Sequence, residues 1–239
     1  ALFFSAAGDN SRKVRVLGAS LTFVIAALGA ADASAWGRDA HHRINELALA
    51  AMPDGELARM LRADRRQVIV AGSEPDDVWR HQYREVEGER HYFEIDLLGP
   101  PPYDGLPVTL VAMEACEPKK PPDRIGRLPL AVSDLYNDLV HRLRKGDAVG
   151  ARRTAGLLGH FVADATMPLH ATQNFDGFRT GNRGIHFLVE VTFHAWAPPE
   201  IEALLAEEVL RPDPVRGPEA TTLELLREGI VRVLELCRV

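Results

Sequence analysis

The sequence predicts an all-α fold with a single folded domain, in which helices pack side by side in a bundle-like arrangement. Apolar residues recur at steps of three and four in several segments of the 239-residue chain, as they do along one face of a helix. Proline or glycine follows most of these segments and ends the predicted helices. No segment shows the strict alternation of apolar and polar residues that is typical of a half-buried strand.

The composition excludes several classes of protein. With 46% hydrophobic and 26% charged residues, the chain has enough apolar material for a core and is not a disordered or collagen-like sequence. The formal net charge of −6 argues against a protein held to nucleic acid by bulk electrostatics alone. Two cysteines, Cys116 and Cys237, exclude a disulfide-dense scaffold and a cysteine zinc knuckle, but they could pair with each other after export.

The N-terminal segment resembles a secretory signal peptide. Arg12, Lys13 and Arg15 precede an uncharged run over residues 16–31, and small residues follow up to Trp36. We therefore predict a signal peptide over residues 1–35, cleavage before Trp36, and a secreted or periplasmic domain over residues 36–239. An uncleaved membrane anchor is the alternative. Since the sequence begins without Met, its first residues are expected to be a fragment edge or a misplaced start.

The remaining elements follow in order along the chain. A helix is predicted from His41 to Met52, before Pro53, and a longer one from Leu128 to Lys145, before Gly146. Asp147 is expected to cap a helix that runs to the turn before Pro168. Further helices are predicted over residues 185–197, 200–210 and 222–236, and a Pro- and Gly-rich loop over residues 100–122.

Histidines and acidic residues at helical spacing predict a metal site. His160 and Asp164 are four residues apart and therefore project from one face of a helix, and His170 follows directly after the turn at Pro168. His186 and Glu190 repeat the four-residue spacing. Imidazole nitrogens and carboxylate oxygens are ligands of zinc, and burying so many of them without a metal would be costly.

Additional candidates lie upstream, where each taken singly has an ordinary structural explanation. Asp76 and Asp77 precede His91, and either carboxylate could be a ligand or a helix cap; the Asp-x-x-Arg step to Arg80 favours Asp77. His41 and His42 are adjacent, and the five-residue step from Trp36 favours His41.

Taken together in this order, these motifs resemble the zinc-dependent phospholipases C and single-strand-specific nucleases, from Trp36 to about Glu190. The resemblance implies an all-α fold with three zinc ions. The first zinc would be bound by Asp77, His91, His160 and Asp164. The second would be bound by His170, His186 and Glu190. The third would take the amino nitrogen and carbonyl oxygen of Trp36 together with His41, and would share Asp164.

The function implied by this resemblance is hydrolysis of phosphoester bonds by metal-activated water, in which Asp77 and Asp164 act as catalytic residues. The expected substrate is a small phosphoester, a phospholipid or a single-stranded nucleic acid, and the expected state is a monomer without a stable protein partner. The spacing of His186 and Glu190 is similar to the phospholipase branch. Phe175-Asp176-Gly177 and Gly181-Asn182 are similar to the nuclease and 3′-nucleotidase branch. A secreted zinc-binding module without catalytic activity is the remaining alternative.

Overall fold

The computed structural model describes residues 37–101, 103, 112 and 125–193, which are mostly helical. Within those residues no strand forms, and a single antiparallel bridge joins Phe93 to Gly126. The all-α prediction is therefore confirmed for this part of the chain. The chain divides into two compact units, Ala1–Ser34 and Ala35–Val239, and every described residue belongs to the second.

Several predictions lie outside the described residues. These are the signal peptide over residues 1–35, Trp36, most of the loop over residues 100–122, both cysteines, and the helices over residues 200–210 and 222–236.

Eight α-helices, two π-helices and three 3₁₀ turns make up the described part of the chain. The α-helices are α1 (Arg38–Ala51), α2 (Glu56–Arg62), α3 (Arg65–Ala71), α4 (Arg80–Tyr83), α5 (Glu85–Gly88), α6 (Leu128–Lys145), α7 (Ala148–Thr166) and α8 (Ile185–Phe187). The π-helices are Pro75–Trp79 and Leu188–Phe193, and the 3₁₀ turns are Glu89–His91, Ile95–Leu97 and Pro168–Ala171.

The long helices form where the sequence predicts them. Helix α6 has the predicted bounds, and Gly146 ends it in the left-handed conformation at φ 71°, which glycine adopts without steric cost. The carboxylate of Asp147 accepts a hydrogen bond from the Gly150 backbone N–H and so caps α7, as predicted. Helix α1 begins three residues before the predicted start and ends at Ala51, just ahead of Pro53.

Two regions differ from the prediction. Helices α2 to α5 span only four to seven residues each, which is too short to show a repeating apolar stripe, and the sequence analysis missed them. The helix predicted over residues 185–197 is α-helical only over Ile185–Phe187 and continues as a π-helix to Phe193. Its last four predicted residues lie outside the described part of the chain.

Helix α7 is the central element, because it packs against α1, α2, α3 and α6. Its glycines allow close approach: a Cβ on Gly156 would overlap the Val68 carbonyl oxygen, and one on Gly159 would overlap the Asn45 side chain. The buried Asn45 amide donates hydrogen bonds to the carbonyl oxygens of Val68 and Gly156 and so joins α1 to α3 and α7. In the described residues, no helix has both the length and the apolar character needed to cross a membrane.

The principal apolar core lies mainly between α6, α7 and the segment that follows His91. Its buried members include Phe93, Ile95, Leu128, Val132, Leu135, Leu157 and Phe161. Burial of such side chains supports the fold by about 1.5–3 kcal/mol each. This core adjoins the polar cluster, because the ring of the core residue Phe161 lies 5.1 Å from the His91 ring and 4.9 Å from the His160 ring.

Candidate metal centre

Three groups of buried His, Asp and Glu side chains could hold metal ions. In each group the nitrogen and oxygen atoms lie within 4.8 Å of one another. The inner group is His41 with His160 and Asp164. The middle group is Asp76 with His91 and His160, and the outer group is His170 with His186 and Glu190. The first two share His160 and form one continuous cluster.

Helix α7 supplies the residues at the centre of this cluster. The four-residue spacing puts His160 Nε2 3.3 Å from Asp164 Oδ2, and both side chains are completely buried. The other ring nitrogen, Nδ1, lies 2.7 Å from the carbonyl oxygen of Gly72, to which it can donate a hydrogen bond. That bond orients the ring with Nε2 directed at the cluster, so that in the neutral ring Nε2 is the nitrogen that can bind a metal.

His91 joins His160 and Asp164, as the sequence analysis expected. Its Nδ1 lies 2.9 Å from Asp164 Oδ2 and 3.1 Å from His160 Nε2. The 3₁₀ turn Glu89–His91 carries this residue, and the adjacent chain is held in place because the Phe93 N–H donates to the His170 carbonyl at 2.9 Å. His91 and His170, which are far apart in sequence, are thereby brought to the same cluster.

The structure places Asp76, rather than Asp77, among the histidines. Asp76 Oδ1 lies 3.7 Å from His91 Nδ1, and Asp76 Oδ2 lies 3.9 Å from His41 Nε2. The Asp77 carboxylate instead pairs with the exposed Arg38 guanidinium at 2.9 Å. The sequence analysis favoured Asp77 because of its step to Arg80, but Arg80 pairs with Asp76 at 3.1 Å.

A π-helix carries both aspartates. Pro75–Trp79 closes a wider turn, in which the Arg80 N–H donates to the Pro75 carbonyl five residues earlier. Asp76 is the residue of this turn whose carboxylate faces the histidines. The second π-helix, Leu188–Phe193, likewise carries a carboxylate of the cluster, Glu190. Wider turns of this kind are frequent at functional sites.

At the N-terminal end, His41 lies in the cluster and His42 does not. The His41 ring stacks on the His160 ring with 3.8 Å between their centroids, and its Nε2 is 3.6 Å from Asp164 Oδ1. The His42 ring instead contacts the Ser73 hydroxyl at 3.0 Å. Trp36, the predicted partner of His41, lies outside the described residues.

The outer group contains the residues that the sequence analysis put together. Glu190 Oε1 lies 3.0 Å from His170 Nε2 and 2.8 Å from His186 Nε2, and the two histidine nitrogens are 3.1 Å apart. Ligand atoms around a tetrahedral ion with bonds of 2.0–2.1 Å are separated by about 3.3 Å, which is close to this triangle. The donor set of two imidazoles and one carboxylate is also one that zinc accepts.

Asp164 lies between the groups, and both its oxygens face histidines. Oδ1 is 3.7 Å from His170 Nδ1 and is also the oxygen that faces His41, whereas Oδ2 faces His91 and His160. Among the described residues, this carboxylate therefore contacts four of the five clustered imidazoles.

Burial and neighbouring charges lower the pKa values of two histidines of the cluster and raise those of two others. Burial lowers the pKa of His91 to about 3, and burial together with the nearby His160 ring lowers the pKa of His41 well below its ordinary value. Burial is also the largest single effect on His160 and His170 and disfavours their charge, but attraction to Asp164, together with hydrogen bonds and other nearby carboxylates, raises both pKa values. Burial opposes ionisation of Asp164 too, yet the histidines around it hold its pKa well below the usual range.

Polar atoms that lack a partner indicate that the cluster suits a cation. Several buried ring nitrogens and carboxylate oxygens of the cluster make no hydrogen bond of acceptable geometry within the described part of the chain. These atoms are His41 Nδ1 and Nε2, Asp164 Oδ1, His170 Nδ1, His186 Nδ1, and Glu190 Oε1 and Oε2. Each such atom would cost about 1–3 kcal/mol if it stayed unsatisfied. A bound cation would satisfy the oxygens and the nitrogens that face the interior, so the residues fit a metal.

The loop between His170 and α8 borders the outer group. It is held by the Asp96 carboxylate, which accepts hydrogen bonds from the Thr172 hydroxyl at 2.8 Å and the Gln173 N–H at 3.0 Å. The loop exposes two phenylalanines to solvent, and the Phe175 ring lies 5.7 Å from the His186 ring. Phe178 lies against Phe175, and the Arg179 guanidinium lies 5.9 Å from the Phe178 ring centroid.

One buried acid near the cluster was missed by the sequence analysis. Glu87 precedes His91 by four residues, the same spacing that identified the other pairs, and its side chain is only 4% exposed. Burial raises the pKa of Glu87, and the nearby Arg90 counteracts this effect. Of the three histidines that match no motif, His81 and His141 are exposed, and His194 lies outside the described residues.

Comparisons with known proteins add no family: no family model matches the chain, and no curated protein matches it.

Proposed function

We propose that this chain is an exported, zinc-dependent hydrolase of phosphoester bonds, similar to the zinc-dependent phospholipases C. The observation that carries the proposal is the buried cluster of five histidines with Asp76, Asp164 and Glu190, whose nitrogen and oxygen atoms converge at 2.8–3.9 Å. Zinc is the metal that best suits imidazole and carboxylate donors without thiolates. The resemblance of the ligand spacing to that family supports three ions.

The roles of the residues combine the positions of the clustered side chains with the three-ion arrangement that the resemblance implies, from which the role of Trp36 is taken. Asp76, His91 and His160 would hold one ion together with Asp164; His170, His186 and Glu190 would hold a second; and His41 would hold a third with Trp36 and Asp164. Zinc ions bound in this way lower the pKa of water to about 7 and neutralise the charge on phosphate oxygens. Asp76 takes the catalytic and metal-binding role that the sequence analysis gave to Asp77, because its carboxylate is the one beside the histidines.

The histidine rings would need little rearrangement to bind the ions. The hydrogen bond from His160 to Gly72 already fixes one ring, and the apolar core packs Phe161 against the His91 ring with 5.1 Å between the centroids. A preorganised charged site that excludes water stabilises the developing charge of a phosphoryl transition state more strongly than solvent does. Hydrolysis of this kind needs no serine or cysteine nucleophile.

Single-stranded nucleic acid is the second candidate substrate, because of the loop beside the outer group. Exposed phenylalanines with a neighbouring arginine are suited to stacking unpaired bases and attracting the phosphate backbone. The same exposed side chains would also suit the interface of a phospholipid layer.

A substrate panel with metal removal tests the proposal. Purified protein would be depleted with a chelator, reloaded with zinc, and assayed on phosphatidylcholine vesicles, single-stranded DNA and RNA. His186→Ala is the informative variant because His186 lies at the edge of the cluster on a short helix, and His141→Ala, an exposed position on α6, is the matched control. We expect zinc-dependent hydrolysis that His186→Ala reduces at least about 100-fold and His141→Ala leaves unchanged.

The outcomes separate the candidate functions. Hydrolysis of the vesicles alone supports the phospholipase assignment, and hydrolysis of DNA or RNA alone supports the nuclease. Tight zinc binding without hydrolysis of any substrate would replace the enzyme proposal with a non-catalytic zinc-binding module. Full activity after exhaustive chelation, with zinc absent by elemental analysis, would refute a role for the metal.

A further inference from the structure

Two buried polar atoms face each other just outside the metal cluster. His91 turns Nδ1 toward Asp164 and His160, so its other nitrogen, Nε2, points away from the cluster. Glu87 Oε1 is 3.8 Å from this Nε2. Neither atom makes a hydrogen bond within the described residues, although both are buried. An approach of about 0.8 Å would bring them to an ordinary hydrogen-bond distance and satisfy both.

The other oxygen of Glu87 is already held. Arg90 Nη1 donates to Glu87 Oε2 at 3.2 Å. The Arg90 guanidinium lies between two aromatic rings, 5.0 Å from the Phe161 centroid and 5.6 Å from the Trp79 centroid. Contacts of this kind stabilise a cation that is partly removed from water. The carboxylate of Glu87 is therefore anchored on one side and directed at His91 on the other.

His160 provides a comparison within the same cluster. Its outer nitrogen has an acceptor, the Gly72 carbonyl, whereas the outer nitrogen of His91 makes no hydrogen bond in the described part of the chain and lies 3.8 Å from Glu87 Oε1. A metal-binding imidazole commonly donates its second N–H to a carboxylate or carbonyl, which fixes the ring and raises its basicity.

We propose that Glu87 is a positioning residue for His91: its carboxylate accepts the Nε2–H and keeps Nδ1 directed at the cation. The inference rests on the metal-binding part of the proposed function and is independent of which phosphoester is cleaved. Glu87 itself is not a ligand in this arrangement, because the ring of His91 stands between it and the cluster.

Zinc affinity and the protonation pattern of the His91 ring test the proposal. Zinc affinity would be measured by competition with a chelator in wild type, Glu87→Ala and Glu87→Gln. Glu85→Ala, an exposed position on the same short helix, is the control for loss of a negative charge. We expect about a 10–100-fold loss of affinity in Glu87→Ala. Glu87→Gln should lose less, since its carbonyl oxygen can still accept, and Glu85→Ala should match wild type.

The second measurement reads the hydrogen bond directly. In zinc-loaded protein with ¹⁵N-labelled histidine, the His91 ring, assigned by its loss in His91→Gln, should carry a slowly exchanging proton on Nε2. That proton should exchange faster in Glu87→Ala, and thermal melting of each variant would show whether it is folded. A proton on Nδ1 of His91 in the loaded wild type would overturn the proposal. So would zinc affinity in Glu87→Ala within twofold of wild type, an equal loss in Glu85→Ala, or no zinc binding by wild type.

These outcomes also distinguish this inference from the proposed function. If wild type binds zinc and Glu87→Ala weakens binding, but no phosphoester is hydrolysed, the enzyme assignment fails and the role of Glu87 stands. If wild type hydrolyses a phosphoester and Glu87→Ala binds zinc normally, only the role of Glu87 fails.

Discussion

Exchanging the two adjacent aspartates for alanine one at a time gives the sharpest test of the metal cluster. Asp76 has its carboxylate 3.7 Å from His91 Nδ1 and a side chain that is 8% exposed. Asp77 pairs with Arg38 at the surface, where its side chain is 31% exposed. Both residues lie in the same π-helix, so the two variants change the local helix propensity equally and differ in which carboxylate they remove.

The expected magnitude follows from the number of ligands. Zinc binding to four-ligand structural sites is worth about 10–16 kcal/mol, or about 3–4 kcal/mol per ligand. At about 1.4 kcal/mol for each factor of ten, Asp76→Ala should weaken zinc binding at its site by about 100–1,000-fold. Asp77→Ala removes a solvent-screened surface pair, and we expect its zinc affinity to remain within about twofold of wild type.

Chelator competition measures both affinities, and thermal melting with and without zinc provides an independent readout. The zinc-induced rise in melting temperature should shrink in Asp76→Ala and persist in Asp77→Ala, because a ligand that binds only the folded state stabilises it. A larger loss of affinity in Asp77→Ala than in Asp76→Ala would refute the assignment. The Asp-x-x-Arg step of the sequence would then be the better guide to the ligand.

Three further predictions concern packing, acid stability and proton release. Gly156→Ala should lower the free energy of unfolding by about 1–3 kcal/mol in urea titrations, because its Cβ would overlap a backbone carbonyl of α3. Gly88→Ala, at a position with open space, should not lower it. A Gly156→Ala variant that is more stable than wild type would contradict the packing described for α7. Hydrogen bonds from an arginine and a threonine lower the pKa of Asp138, so its contribution to stability is present above its unfolded pKa of about 3.9 and is lost as the pH falls through the folded value. Asp138→Asn should therefore be less stable than wild type at neutral pH and equal to it in strong acid, and a difference that persists in acid would contradict this. The pKa values of His160 and His170 are raised in the metal-free protein, so zinc binding near neutral pH should release protons. Calorimetry in buffers of different ionisation enthalpy would detect this release. The release should disappear at alkaline pH, where both rings are already neutral.

The parts of the molecule that the sequence predicts well are those governed by local geometry. Helix α6 needed only its apolar periodicity and Gly146, and α7 needed Asp147 as a cap. The pairing of His160 with Asp164 follows from the rise of a helix alone, so it could be predicted without tertiary information. The same holds for His186 and Glu190, although the segment between them is partly a π-helix.

Other features depend on geometry that the sequence does not show directly. Asp76 and Asp77 are adjacent and both lie in a π-helix, and only their tertiary contacts, Asp76 with the histidines and Asp77 with Arg38, distinguish them. Glu87 had a signal in its four-residue step to His91, but an acidic residue at that spacing is common on exposed helices. Its burial against Arg90 is a result of tertiary packing.

The position of Asp164 has a consequence for the histidines on its two sides. A carboxylate is planar, so it cannot turn one oxygen toward His41 and His170 without also setting the direction of the oxygen that faces His91 and His160. The contacts on the two sides of Asp164 are therefore coupled: a substitution or a bound cation that turns the carboxylate on one side would also change its distances to the histidines on the other side.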